Sequence, residues 1–151
     1  IVPIFLIQFD SPTSCTFLLP DITFYYTTYK IIFSHSNPAK FIEKYNSANE
    51  KTKVGLNIQK VFDAINNEDY EYVYNKLDNT FKQTNFKTVQ ELKNYVIQNF
   101  SGKQLKYGEC QQQGSLYIFD ITITEGTKQT NKRVIMQLKD GTDFVMSFNV
   151  N

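Results

Sequence analysis

The sequence predicts an α+β domain in which three N-terminal helices pack on an antiparallel β-sheet. Two changes of rhythm point to it. Between Val54 and Phe100 apolar residues recur every three or four positions, the period of one helix face. From Gln104 onward the period falls to two, the alternation of half-buried strands. The third observation is that these strands have one oily and one polar face, and the preceding helices are the candidates to cover the oily one.

Residues 1–36 stand apart from 37–151, which form the predicted domain. The opening IVPIFLIQF (1–9) is apolar but far shorter than the about 20 residues that cross a bilayer as a helix. It fits a strand, or the trailing edge of a signal or anchor, since the chain begins at Ile1 rather than Met. TFLLPDITFYYTTYKIIF (16–33) fits a strand and equally a helix at the foot of an anchor, with Pro12 and Pro20 as punctuation.

In SHSNPAKFIEKYN (34–46), Ser36 or Asn37 can cap a helix, Pro38 suits its first turn, and Phe41, Ile42 and Tyr45 share a face. Val54, Ile58, Val61, Phe62 and Ile65 follow at helical spacing, in the same long helix or in a second one after a bend near Gly55. In VFDAINNEDYEYVYNKLD (61–78), Asn66-Asn67 ends that helix and Asp69 caps the next. Tyr70, Val73, Tyr74 and Leu77 form its apolar stripe. The break between them is short enough for a tight helical hairpin. Thr88-Val89-Gln90-Glu91 is a capping box, Val89, Leu92, Val96 and Phe100 follow in phase, and Ser101-Gly102 stops the helix.

LKYGECQQQ (105–113) alternates weakly, whereas SLYIFDITIT (115–124) alternates strongly. KRVIMQLKDGTDFVMSFNV (132–150) reads as a hairpin around Asp140-Gly141. A two-residue turn would pair Leu138 with Asp143. A three-residue connection pairs Leu138 with Phe144, Met136 with Met146 and Val134 with Phe148, collecting the apolar side chains on one face. The second register is predicted, with Gly141 left-handed beside a bulge.

Composition narrows the function classes. At 151 residues the chain suits one domain with a real core. With 16 basic and 15 acidic residues, its net charge of +1 provides no field for nucleic acid, which is not expected as a partner. Lys51, Lys53 and Lys60 are balanced by Glu50, Asp63 and Glu68. The 13 Phe and 10 Tyr, without Trp, suggest a core built partly from rings with polar tips. One histidine, His35, with Cys15 and Cys110 far apart, supplies no metal site. The two cysteines are expected as independent thiols. No phosphate loop, GxGxxG or GxSxG occurs, and no cofactor is expected.

The element order resembles the nuclear-transport-factor-2-like superfamily over residues 50–150. VFDAINNEDYEYVYNKLD is similar to that family's helix, short break, Asp and helix ending in Leu. FKTVQELKNYVIQNF (86–100) is similar to its third helix, and 104–150 to its strand series. The resemblance implies a curved sheet wrapped around the helices as a cone with an apolar pocket. On that reading Phe62, Tyr74, Tyr117, Phe119, Met136, Phe144 and Met146 line the pocket, for a small apolar ligand or a protein partner. Many relatives form homodimers through the outer face of the sheet. Some members are isomerases, dehydratases or cyclases; others are binding or accessory domains, including extracellular ones behind a membrane anchor.

An isomerase-like or cyclase-like cavity enzyme needs a carboxylate base and a phenol facing the cavity. Asp120 and Tyr74 are the candidates. Asp120 has the parity opposite to Tyr117, Phe119, Ile121 and Ile123, so it should point to water. A dehydratase-like His–Asp dyad has no histidine in the matched region, and Cys110 has no identifiable activating base. The expectation is therefore a non-catalytic ligand-binding or protein-interaction domain, extracytoplasmic, behind an N-terminal anchor missing from this chain.

Overall fold

The computed structural model describes residues 38–151. The expectations placed on 1–36, on the caps Ser36 and Asn37, and on Cys15 and His35 lie outside the described residues. The chain divides into two units, Ile1–Glu43 and Lys44–Asn151, with the boundary inside the first described helix. The second unit carries the sheet and the core.

The described helices are α1 (Pro38–Ser47), α2 (Glu50–Asn66), α3 (Tyr70–Asn75), α4 (Asn79–Asn85) and α5 (Val89–Asn99). The strands are β1 (Gln104–Tyr107), β2 (Gln111–Gln113), β3 (Leu116–Glu125), β4 (Lys128–Leu138) and β5 (Phe144–Phe148). The fold is α+β with an open antiparallel sheet ordered β1-β3-β4-β5, β2 pairing with β3 in line after β1. The helical half is divided more finely than the three helices predicted. No described helix is long and apolar enough to cross a membrane.

Neither one long helix nor a bend near Gly55 is found. The break falls at Ala48-Asn49, where the Asn49 side chain accepts from the Thr52 amide at 2.9 Å and starts α2 afresh. Gly55 sits within α2 facing the Tyr107 ring, 3.5 Å from where its Cβ would lie. The stop at Asn66-Asn67 and the cap at Asp69 form as predicted, with Asp69 accepting from the Tyr72 amide at 3.0 Å.

α3 stops before Leu77 because residues 76–78 join the sheet. The Met146 amide donates to the Lys76 carbonyl, and the Asp78 amide donates to the Met146 carbonyl, each at 2.8 Å. Asp78 then caps α4, a helix for which the sequence offered no apolar stripe; its Phe81 lies half-buried on Phe148, with ring centroids 4.9 Å apart. Thr88 caps α5 by accepting from the Glu91 amide at 3.2 Å. Glu91 reaches back to the Lys87 amide, one residue before the expected Thr88 amide.

The hairpin has the predicted register, Leu138 opposite Phe144, Met136 opposite Met146 and Val134 opposite Phe148. The Lys139 amide donates to the Asp143 carbonyl at 2.9 Å, leaving a three-residue loop in which Gly141 has φ 67°. The core lies between the helices and the inner sheet face. Val54, Ile58, Leu92 and Val96 meet Phe119, Val134, Met136 and Phe144, all nearly inaccessible. Each such side chain contributes about 1.5–3 kcal/mol on burial.

Candidate functional site

The space between helices and sheet is filled. What remains is a void of about 30 Å³ lined by apolar side chains and Lys132, about the room of one water. Of the predicted pocket-lining residues, Phe62 and Met146 border this void. Tyr117, Phe119, Met136 and Phe144 are core side chains packed against their neighbours. No steroid-sized apolar pocket is present there among the described residues, because the rings and methionines that were to line one fill it instead.

Tyr74 and Asp120 are not brought together. The Tyr74 hydroxyl lies 3.2 Å from the Phe86 carbonyl and 3.1 Å from that of Lys87, bracing the turn before α5. Asp120 is on the outer face, paired across the strands with Arg133 at 3.0 Å. Both partners are well exposed, so this pair adds little stability.

Among the described residues an open groove of about 930 Å³ lies between the start of α2 and the β1–β2 edge. Glu50, Thr52 and Leu56 come from α2, and Tyr107, Cys110 and Gln112 from the edge. The edge is broken there: β1 pairs up to Tyr107 opposite Ile121, and β2 resumes at Gln111 opposite Ile118. Three residues, 108–110, therefore face two, 119–120, which is a bulge. Gly108 is required at it. Its amide donates to the Asp120 carbonyl at 2.9 Å, and a Cβ would lie 2.6 Å from that oxygen.

Tyr107, half-buried, lines the groove, and Tyr117 reaches one of the lining residues, Glu50, from the core. The Tyr117 ring is buried and its hydroxyl donates to the Glu50 carboxylate, joining β3 to the first turn of α2. Burial, then the hydrogen bond to Glu50, pushes the Tyr117 phenol up to about 12. Burial and a hydrogen bond with Cys110 likewise raise the Tyr107 phenol, whose ring packs edge-on against Phe119 at 4.9 Å. Both phenols are protonated donors at neutral pH. Cys110 is a buried free thiol. Among the described residues no three His, Cys, Asp or Glu side chains gather as a metal site.

The sequence does not single out Glu50, Tyr107 or Gln112, whereas it places Tyr117 inside, where the structure has it. The available signal was the weak alternation of LKYGECQQQ, whose glycine marks the bulge. Against this geometry, no protein family, curated protein or solved structure matches the chain.

Proposed function

We propose that the chain is a non-catalytic protein-interaction domain of the nuclear-transport-factor-2-like kind, working through its surface rather than through an interior apolar pocket. The observation that carries this reading is the contrast between a void of about 30 Å³ inside and a groove of about 930 Å³ outside. Among the described residues β1 and β2 pair only with β3, so their outer backbone edge borders the groove unpaired. An extended segment of a partner can add along such an edge, with main-chain hydrogen bonds giving affinity and the groove reading side chains. Tyr107, Gln112 and Glu50 supply polar selectivity.

A peptide selected from a random display library should shift the amide resonances of residues 104–113 and 52–56. If instead a fatty acid or steroid binds saturably and shifts Phe119 and Met136, the interior is a ligand site and the proposal fails. The resemblance adds two further parts to this reading: presentation outside a membrane, and homodimerisation through the outer sheet face, where Leu116 and Ile135 are 38% and 37% exposed.

The second reading, a small enzyme acting on an apolar substrate, is favoured by the Tyr117–Glu50 contact, a phenol on a carboxylate. It moves the acid–base pair from Tyr74 and Asp120 to the groove. Deuterium incorporation next to the carbonyl of an apolar ketone, lost in Glu50→Gln, would support it. No incorporation by the parent protein sinks it for that chemistry.

A further inference from the structure

The open edge of β1 has a definite hydrogen-bonding parity. Gly108 continues the β1–β3 register opposite Asp120, and its amide donates to the Asp120 carbonyl at 2.9 Å. Backbone groups point alternately toward and away from the neighbour along an antiparallel ladder. Lys106 therefore also bonds toward β3, while Leu105 and Tyr107 turn their N–H and C=O groups to the open side. Side chains alternate as well. Leu105 and Tyr107, opposite Ile123 and Ile121, lie half-buried on the inner face, and Tyr107 lines the groove with half-buried Leu56. Lys106, opposite Thr122, stands exposed on the outer face.

The charges at this edge differ in what already engages them. Lys44 and Lys51 line the groove and Lys106 projects from the strand; among the described residues none of the three has an ion pair. Of the acidic side chains there, Glu50 already accepts from the Tyr117 hydroxyl. Glu109 lies in the bulge, beyond the four residues of β1. A second copy is a poor occupant of this edge. The antiparallel register that joins Leu105 of one copy to Tyr107 of another sets Lys106 against Lys106, a like-charge pair.

Resting on the strand-addition reading above, we propose that the partner segment alternates apolar and acidic side chains and pairs antiparallel with β1. The partner residue directly opposite Lys106 shares its outer face and is the acidic one. Its two neighbours take the main-chain groups of Leu105 and Tyr107 and turn inward, where their apolar side chains meet the Tyr107 ring and Leu56. Lys44 and Lys51 add attraction for an acidic segment arriving from solution.

The experiment titrates three short capped peptides of alternating Val and Thr into the full chain at low salt, identical except for Glu, Gln or Lys at the central Thr position. Amide shifts of residues 104–107 report where each binds and how tightly. The Glu-centred peptide should bind about fivefold tighter than the Lys-centred one, with the Gln-centred peptide between them. Lys106→Glu, an exposed substitution that leaves the core untouched, should invert that order. Equal affinities for the three peptides, or an order that Lys106→Glu leaves unchanged, overturn the acidic partner while strand addition itself stands. If none of the three shifts residues 104–107, strand addition falls, and the acidic partner with it.

Discussion

Two glycines in contact with the same short edge show how the surroundings of a residue set the sign of a substitution. At Gly108 an added Cβ meets the Asp120 backbone oxygen at 2.6 Å, and backbone cannot step aside as a side-chain tip can. Gly108→Ala should lower stability by about 1–3 kcal/mol, read from the urea midpoint, and shift the amides of the groove. At Gly55, within α2, the nearest atom to an added Cβ is a Tyr107 ring carbon at an ordinary 3.5 Å. Gly55→Ala should leave stability unchanged or raise it by up to about 1 kcal/mol. Equal effects at the two positions would contradict the close approach at the bulge. The outward direction of Asp120, which faces that bulge across the ladder, was readable from sequence parity alone. The inward direction of Tyr117 follows from the same parity, but its Glu50 partner does not, because it comes from a helix 67 residues away.

The elements divide according to how much apolar surface they bury. α2 and α5 carry continuous stripes, and their starts, stops or caps were visible as Asn66-Asn67 and Thr88-Glu91. α4 has no buried residue, so it leaves no hydrophobic period to find; its only sequence mark is the cap at Asp78. A helix with so little packing depends on its ends. Asp78→Ala removes the acceptor for the Phe81 amide and should cost about 1 kcal/mol, with amide exchange accelerating across residues 79–85 before the remainder. Uniform exchange would mean that the cap is not what holds α4. β5 illustrates the opposite case: its register was predictable because a one-residue slip would turn Phe144, Met146 and Phe148 to the wrong face.

For the whole molecule, the class of fold followed from two periods and one uncovered face, whereas the filled interior did not follow from either. Pattern says which side chains point inward, and only their summed volume decides whether they leave a cavity. The same rings give the domain a pH limit. Burial, then the charges of Asp143 and Asp69, pushes the Tyr72 phenol up to about 12, the level also reached by Tyr117. Unfolded tyrosines ionise near about 10, so above that pH the unfolded chain releases protons that the folded chain retains. Stability contributed by these phenols is complete below about 10 and is lost as pH rises through about 12. Urea midpoints measured from pH 8 to 12 should stay level and then fall, and Tyr72→Phe should flatten the decline; a midpoint that rises with pH in this window would refute the assignment.

The clasp of Met146 between the Lys76 carbonyl and the Asp78 amide has a consequence in time. During synthesis the helical half emerges first, and these two backbone groups must wait, solvated, for a strand made some seventy residues later. Leu77 shares that delay, since its bridge partner is Met146. A nascent chain halted before Phe144 should therefore hold α2 and α5 only loosely, with the turn between α3 and α4 open to protease. The last strand closes the domain as well as extending the sheet.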